Sequence, residues 1–243
     1  MIWWHGVSSD DVQVIVERFP NVNIPARKYE KISVPGRNGD ILIPEDAYEN
    51  VPQRYEIYVS AEKEKLPAVA RCVACWLCVS GYQRLEDSYF LDSYRLAHYS
   101  GSLEIENILN RFGRATIEFD CKPQRFLHDG ELVLSYSGAG KIVNPTRFPS
   151  APLIKVLGSG SGTLTIGSTT VSLIGISEYV MLDCDIQDAY KGLVNKNSTM
   201  TGSFPKIEGG EQVVTFTGGI TGLEITPRWW TLLDCLHQRL HRF

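Results

Sequence analysis

The sequence contains no apolar run long enough to cross a membrane. Its longest candidate, Ala68 to Val79, is broken by Arg71 and covers only about half of the ~20 residues a spanning helix needs. It also has no excess of basic charge. With 24 Lys and Arg against 28 Asp and Glu, the net charge is −4, which excludes the electrostatic footprint of a nucleic-acid-binding domain. Six cysteines are too few to staple a chain of 243 residues as a small secreted framework, and reduced thiols made in the cytoplasm are expected. The opening Met1-Ile2-Trp3-Trp4-His5-Gly6 lacks the basic start and apolar core of a signal peptide. Hydrophobic residues at 43% and charged residues at 21% instead match a globular chain of one or two domains.

Catalytic and metal-binding signatures are equally scarce. Gly138-Ala139-Gly140-Lys141 lacks the earlier glycine and the following Ser or Thr of a phosphate loop, and Gly158-Ser-Gly-Ser-Gly162 precedes a strand rather than a helix. No Gly-x-Ser-x-Gly elbow is present. Cys72, Cys75 and Cys78 repeat every three residues, but Cys121, Cys184 and Cys235 stand alone, so the second pair of a thiolate zinc site is missing. The three are expected to pack as small hydrophobes in a buried helix. Asp183, Asp185 and Asp188 lack the glycine and closing glutamate of a calcium loop. His237 and His241 share a helical spacing without the glutamate of a zinc protease and read as an exposed tail. No catalytic residue, metal ligand or cofactor is expected, and the chain is not read as an enzyme.

What the sequence does carry is short extended segments with strong punctuation. Val12–Val16 and Glu56–Val59 read as strands, as does Arg114–Asp120. Between the first two, Tyr29 to Ile43 encloses Val34-Pro35-Gly36-Arg37-Asn38-Gly39-Asp40, whose Asn-Gly pair favours the positive φ of a hairpin tip. Pro25, Pro35, Pro44 and Pro52 remove backbone donors, so these strands belong at a sheet edge or in an arm reaching away from the body. Leu66–Val79 reads as a helix with Pro67 in its first turn and Ser80-Gly81 as its stop. A second helix is expected from Ser88 to His98.

A Ser-, Gly- and Pro-rich stretch near residues 135–150 suggests a boundary, with domains at 1–140 and 141–232 and a tail at 233–243. Beyond it, Thr163–Ile166, Thr170–Ile174, Tyr179–Cys184, Gln212–Thr217 and Leu223–Thr226 read as short strands, with Gly167-Ser168 and Gly218-Gly219 as turns. Such spacing without a helix describes an antiparallel β-sandwich. The paired tryptophans Trp3-Trp4 and Trp229-Trp230 should each send one ring inward and one outward. The outward ring of the second pair is a candidate partner or sugar contact.

Several segments in order resemble the distal tail proteins of long non-contractile phage tails. They are Val34-Pro-Gly-Arg-Asn-Gly-Asp-Ile41, Trp76-Leu77, Gly81–Tyr89, Phe119-Asp-Cys-Lys-Pro-Gln-Arg-Phe126, Asn144-Pro145-Thr146, Ala151–Val156, Phe204-Pro205 before Gly209-Gly210, and Ile225-Thr-Pro-Arg-Trp-Trp230. The resemblance covers residues 1 to 232. It implies a mainly β protein: an N-terminal β-sandwich with one or two helices and an extended hairpin arm, then a C-terminal galectin-like antiparallel β-sandwich. It further implies a homo-hexameric ring at the distal end of a virion tail, assembled in the bacterial host cytoplasm. Its implied partners are the tail tube protein, the tail-tip hub protein and a receptor-binding or upper baseplate protein. DNA would pass through the bore without specific binding, and no membrane insertion is implied. Val34, Pro35, Gly36, Arg37, Asn38, Gly39 and Asp40, within the Tyr29–Pro44 hairpin, are expected at the subunit interface, since exposed strand edges invite pairing. The competing reading is a carbohydrate-binding adhesion module that uses the C-terminal sandwich, with Trp229 and Trp230 as its aromatic platform.

Overall fold

The structure is a computed structural model and describes residues 1–60, 64–101, 106–108 and 112–232. The 233–243 tail, with Cys235, His237 and His241, lies outside the described residues. The protein is mainly β and divides into two compact units, Met1–Arg125 and Phe126–Thr231.

The first unit holds β1 (Ile2–Trp4), β2 (Val7–Ser8), β3 (Val14–Val16), β4 (Arg27–Ile32), β5 (Ile41–Tyr48), β6 (Val51–Ser60), α1 (Leu66–Leu77), β7 (Gln83–Asp87), β8 (Ser93–Tyr99), β9 (Glu106–Ile108) and β10 (Phe112–Leu127). Its main sheet runs β2-β1-β7-β8-β10-β6-β3, with β9 also against β10. The expected strands at Glu56–Val59 and Arg114–Asp120 fall within β6 and β10, whereas of Val12–Val16 only Val14–Val16 is strand (β3), Val12 closing a 3-10 turn over Asp10–Val12. Pro52 opposes Asp120 on β10, whereas β3 reaches only Ile57–Val59 of β6. The other edge of β6 at Pro52 therefore needs no N–H, which is how this proline is tolerated in the sheet.

Trp4, Tyr55, Ile57, Ile117 and Phe119 are fully buried in one core, with the Trp4 and Phe119 rings 4.7 Å apart. Trp3 is only half-buried, so the first tryptophan pair divides between the two faces of β1. The buried Tyr55 hydroxyl donates to Asp87 at 3.0 Å. Burial first, and the Asp87 charge second, hold its ionisation well above the ordinary tyrosine range.

α1 seats on this core through Val73, Trp76 and Leu77, the i, i+3, i+4 stripe of an amphipathic helix. The Trp76 indole donates to the Val7 carbonyl at 3.3 Å, and the His5 ring meets the Trp76 carbonyl at 3.2 Å. This corrects the expectation of a fully buried helix: Cys72, Cys75 and Cys78 are exposed. Once Val73 and Trp76 point inward, the 3.6-residue period turns those three positions outward. The expected second helix is likewise a strand. Asp87 Oδ1 accepts the N–H groups of Tyr89 and Phe90, each at 3.0 Å, closing a turn that leads into β8. There Ser93, Arg95 and Ala97 face inward.

The second unit holds β11 (Leu134–Tyr136), β12 (Gly140–Asn144), β13 (Leu153–Ile166), β14 (Thr169–Asp183), β15 (Asp188–Lys191), β16 (Val194–Asn195), β17 (Met200–Thr201), β18 (Gly210–Thr226) and β19 (Trp230–Thr231). The sheet order is β11-β18-β13-β14-β15-β16, with β12 on β18 and β17 on β14. Ile154, Val156, Leu164, Val171, Leu182 and Ile225 lie at the centre of its core.

The units exchange at Arg125/Phe126, earlier than the 140/141 boundary that composition suggested. The Ser- and Gly-rich stretch is the connection between β11 and β12, both of which pair with β18, so it lies inside the second sheet. The short strands expected there fuse into long bent ones: Thr170–Ile174 and Tyr179–Cys184 fall largely in β14, and Gln212–Thr217 and Leu223–Thr226 in β18. Gly167-Ser168 is a hairpin turn as expected, with Gly167 at φ +56°. Gly218-Gly219 is not a turn. It lies opposite the Gly158–Gly162 stretch of β13, where the register shifts through bulges. Among the described residues, no helix is long and apolar enough to cross a membrane.

Candidate assembly interface

The feature that stands apart from both cores is the hairpin of β4 and β5. Its register is Ile32 to Ile41, Lys31 to Leu42, Glu30 to Ile43 and Tyr29 to Pro44. The two strands form a sheet of their own, separate from the main sheet of the first unit. Pro44 fits because its missing N–H lies in a two-stranded ribbon in which each strand has a free edge. At the tip, Arg37 N–H donates to the Val34 carbonyl at 3.1 Å, with Pro35 second and Gly36 at φ +82° third, the pattern of a type II turn. Gly39 also takes positive φ, +80°, so Asn38-Gly39 adds a second bend beside the Pro-Gly turn.

Val34, Pro35, Gly36, Arg37, Asn38, Gly39 and Asp40 are all exposed, as is every residue of β4 and β5 except the half-buried Tyr48. Strand alternation puts Ile32, Ile41 and Ile43 on one face and Tyr29, Leu42 and Pro44 on the other. A two-stranded hairpin is at best marginally stable in water by itself. One that offers large apolar side chains on both faces is built to be covered, and burying Leu42 or Ile43 contributes about 1.5–3 kcal/mol each.

The root of the hairpin is tied firmly. Asn50 donates to the Tyr82 hydroxyl at 2.9 Å and to Asp120 at 2.8 Å. Glu49 N–H donates to the Ala26 carbonyl at 2.9 Å, and the Asn23 amide donates to the Pro52 carbonyl. Tyr82 meets the His98 ring edge-on at 5.3 Å. The arm is thus anchored at one end and bare along its length.

The second tryptophan pair separates as alternation requires. Trp229 is 5% exposed and belongs to the core of the second unit, which removes it as a contact platform. Trp230 is half-exposed, but its ring stacks on Phe148 at 4.6 Å and its indole N–H donates to the Pro149 carbonyl at 2.9 Å. One face and the polar edge of that ring are therefore already engaged.

The acidic strand end is committed to structure. Asp183 takes a bidentate bridge from Arg228 at 2.7 and 3.1 Å. Burial raises its carboxyl, but the Arg228 hydrogen bonds and charge, with the N–H groups of Asp185 and Ile186, outweigh burial and hold it below the usual range. Asp188 accepts from Asn195 at 3.0 Å and Asn197 at 2.7 Å. Among the described residues, no group of three His, Cys, Asp or Glu is arranged to hold a metal ion.

No protein-family profile and no curated protein sequence matches the chain. Solved structures do. The crystal structure of the Dit protein of phage SPP1, described as a paradigm of the hub adsorption apparatus in phages infecting Gram-positive bacteria, aligns with a TM-score of 0.72. Identity is 10%, and the alignment covers 92% of this chain and 97% of that one. A chain of the phage p2 baseplate in its activated conformation with strontium aligns at a TM-score of 0.49, with 10% identity and coverage of 88% and 90%. Across both of its units, the chain has the fold of the SPP1 Dit protein.

Proposed function

We propose that this chain is a structural protein of a phage tail hub. In this reading, six copies form a ring that joins the distal end of the tail tube to the tail tip or baseplate and supports receptor-binding components. The supporting observation is a fold shared with the SPP1 Dit protein over nearly the whole of both chains, combined with an anchored apolar hairpin that, among the described residues, pairs with no further strand. A closed ring of identical subunits needs a heterologous contact, and a hairpin with two free edges supplies one half of it. Val34 to Asp40 form the tip of that contact. The net charge of −4 suits a passage for DNA, because a basic wall would hold the phosphate backbone. The tail tube, the tip hub and a receptor-binding protein are the partners this role requires.

The test is the mass of the purified chain by light scattering over a concentration series, followed by negative-stain imaging. A hexamer with a central hole is expected. A chain that lacks the Tyr29–Pro44 hairpin and still forms a stable ring would remove it from the interface.

A further inference from the structure

A ring held by heterologous contacts needs two different surfaces on every copy, one that reaches and one that receives. The hairpin reaches. For the receiving surface, the first unit offers a second feature that its own core does not explain. α1 buries Val73, Trp76 and Leu77, while Ala68, Arg71, Cys72, Ala74, Cys75 and Cys78 remain exposed. A helix face meant for water carries acids, amides and lysines. This one carries small apolar side chains and thiols around a single cation. We infer that the exposed face of α1 is the surface on which the hairpin of the next copy lies, an inference that rests on the ring reading above.

Three properties match the two surfaces. The first is chemical: Ile41 and Ile43 project from one face of a bare ribbon, and the alanines and cysteines of α1 form a shallow floor that can receive them. The second is charge. Arg71 is the only charged residue between Leu66 and Leu77. On the hairpin, Glu45 is exposed and shares the face of Ile41 and Ile43, whereas Asp46 falls on the other face and is bridged to Arg27 at 2.9 Å. Covering α1 with the face that carries Glu45 gives Arg71 the carboxylate a buried cation requires. The third is reach. β5, Ile41 to Tyr48, is extended over about 26 Å at ~3.3 Å per residue. A compact unit the size of Met1–Arg125 is about 35 Å across, and its 12-residue α1 is about 18 Å long, so a ribbon of this length can cover the helix on a neighbour's surface.

The exposed thiols make the contact directly testable in the full-length chain. In the unmodified protein, maleimide labelling of Cys72, Cys75 and Cys78 is followed by peptide mapping, on monomer and ring fractions separated by size. At least tenfold slower labelling in the ring is expected. In an Ile43→Cys variant, mild copper–phenanthroline oxidation should join the introduced thiol to one of the three α1 cysteines of a different copy, giving a ladder of covalent oligomers. Rings whose α1 thiols label at the monomer rate, with no such cross-link, overturn this landing site and leave the ring reading standing. A disulfide from the α1 thiols to Cys235 of the same chain overturns it too, by giving the face an occupant within the chain. Monomer at every concentration overturns both readings.

Discussion

Gly158 on β13 and Gly219 on β18 face each other so closely that a Cβ on Gly158 would lie 2.1 Å from the Gly219 carbonyl oxygen. The converse is tighter, since a Cβ on Gly219 would meet the Ser159 carbonyl oxygen at 1.7 Å. This contact is where two long paired strands of the second unit shift register and bend. Bulges sharpen local twist, and here they let one antiparallel sheet curl around its own core.

Gly219→Ala should therefore destabilise the second unit by about 3 kcal/mol, at the upper end of overpacking costs, because backbone rather than a flexible side chain must yield. Gly138→Ala is the matched control: nothing lies within 4 Å of its Cβ, and a change within about 0.5 kcal/mol is expected. Urea denaturation of both variants decides the matter. Equal midpoints would show that the strands part freely at the bulge.

The Asp183–Arg228 bridge joins the end of β14 to the turn before Trp229. The folded-state pKa of Asp183 is lowered, so its contribution is present above the unfolded carboxylate value, about 3.9, and is lost as pH falls through the lower folded value. Asp183→Asn should cost about 2 kcal/mol at neutral pH, the scale of a charge-assisted hydrogen bond. The cost should shrink as pH falls from the unfolded carboxylate value, about 3.9, through the lower folded value, where the wild-type carboxyl itself takes up a proton. Denaturation at pH 7 and pH 3 measures both; a cost unchanged with pH would assign the effect to packing.

Thiol reactivity should divide by position. Burial pushes the Cys121 thiol up to about 11 and the Cys184 thiol up to about 12. Both sit in closed cores, while Cys72, Cys75 and Cys78 are open. At pH 8 the monomer should label at the three α1 cysteines within minutes, and at Cys121 and Cys184 only after unfolding. Peptide mapping against time in maleimide reads this out. Rapid native labelling of Cys121 would mean that the first core opens far more readily than its packing implies.

Ile43→Asp changes a side chain that touches neither core. The monomer's denaturation midpoint should stay within about 0.5 kcal/mol of wild type, whereas assembly should fail. Light scattering beside urea denaturation separates the two effects. Assembly at wild-type concentrations would exclude the middle of the hairpin from the contact.

The hairpin was the most legible part of the chain, because its signals are local. Proline denies a donor, and Pro-Gly and Asn-Gly bend the backbone, whatever surrounds them. α1 was legible as a helix but not as a surface. With apolar residues on every side, nothing in the pattern chose which stripe faces inward, and only the seat of Trp76 beneath Val7 made that choice. β8 was misread for a related reason. Its inward positions are Ser93, Arg95 and Ala97, while Tyr94 and Leu96 sit half-exposed, so the usual alternation of hydrophobicity is inverted. Arg95 is tolerated inside with Gln53 as a partner at 3.3 Å, a pairing that joins residues 42 positions apart.

The glycines show the same division. A Gly-Gly pair has the backbone freedom for a turn and for a bulge alike. Gly167-Ser168 ends β13 and opens β14, while Gly218-Gly219 stays within β18 because β13 lies against it through a matching run of glycines. Trp229 and Trp230 needed the fold to tell core from surface. What the sequence alone determined was whatever depends on neighbours a few residues away: the proline-marked arm, the turn chemistry and the mainly β character. Which faces are buried, where strands bend and which side chains are left for a partner depend on contacts between distant segments, and only the tertiary structure could decide them.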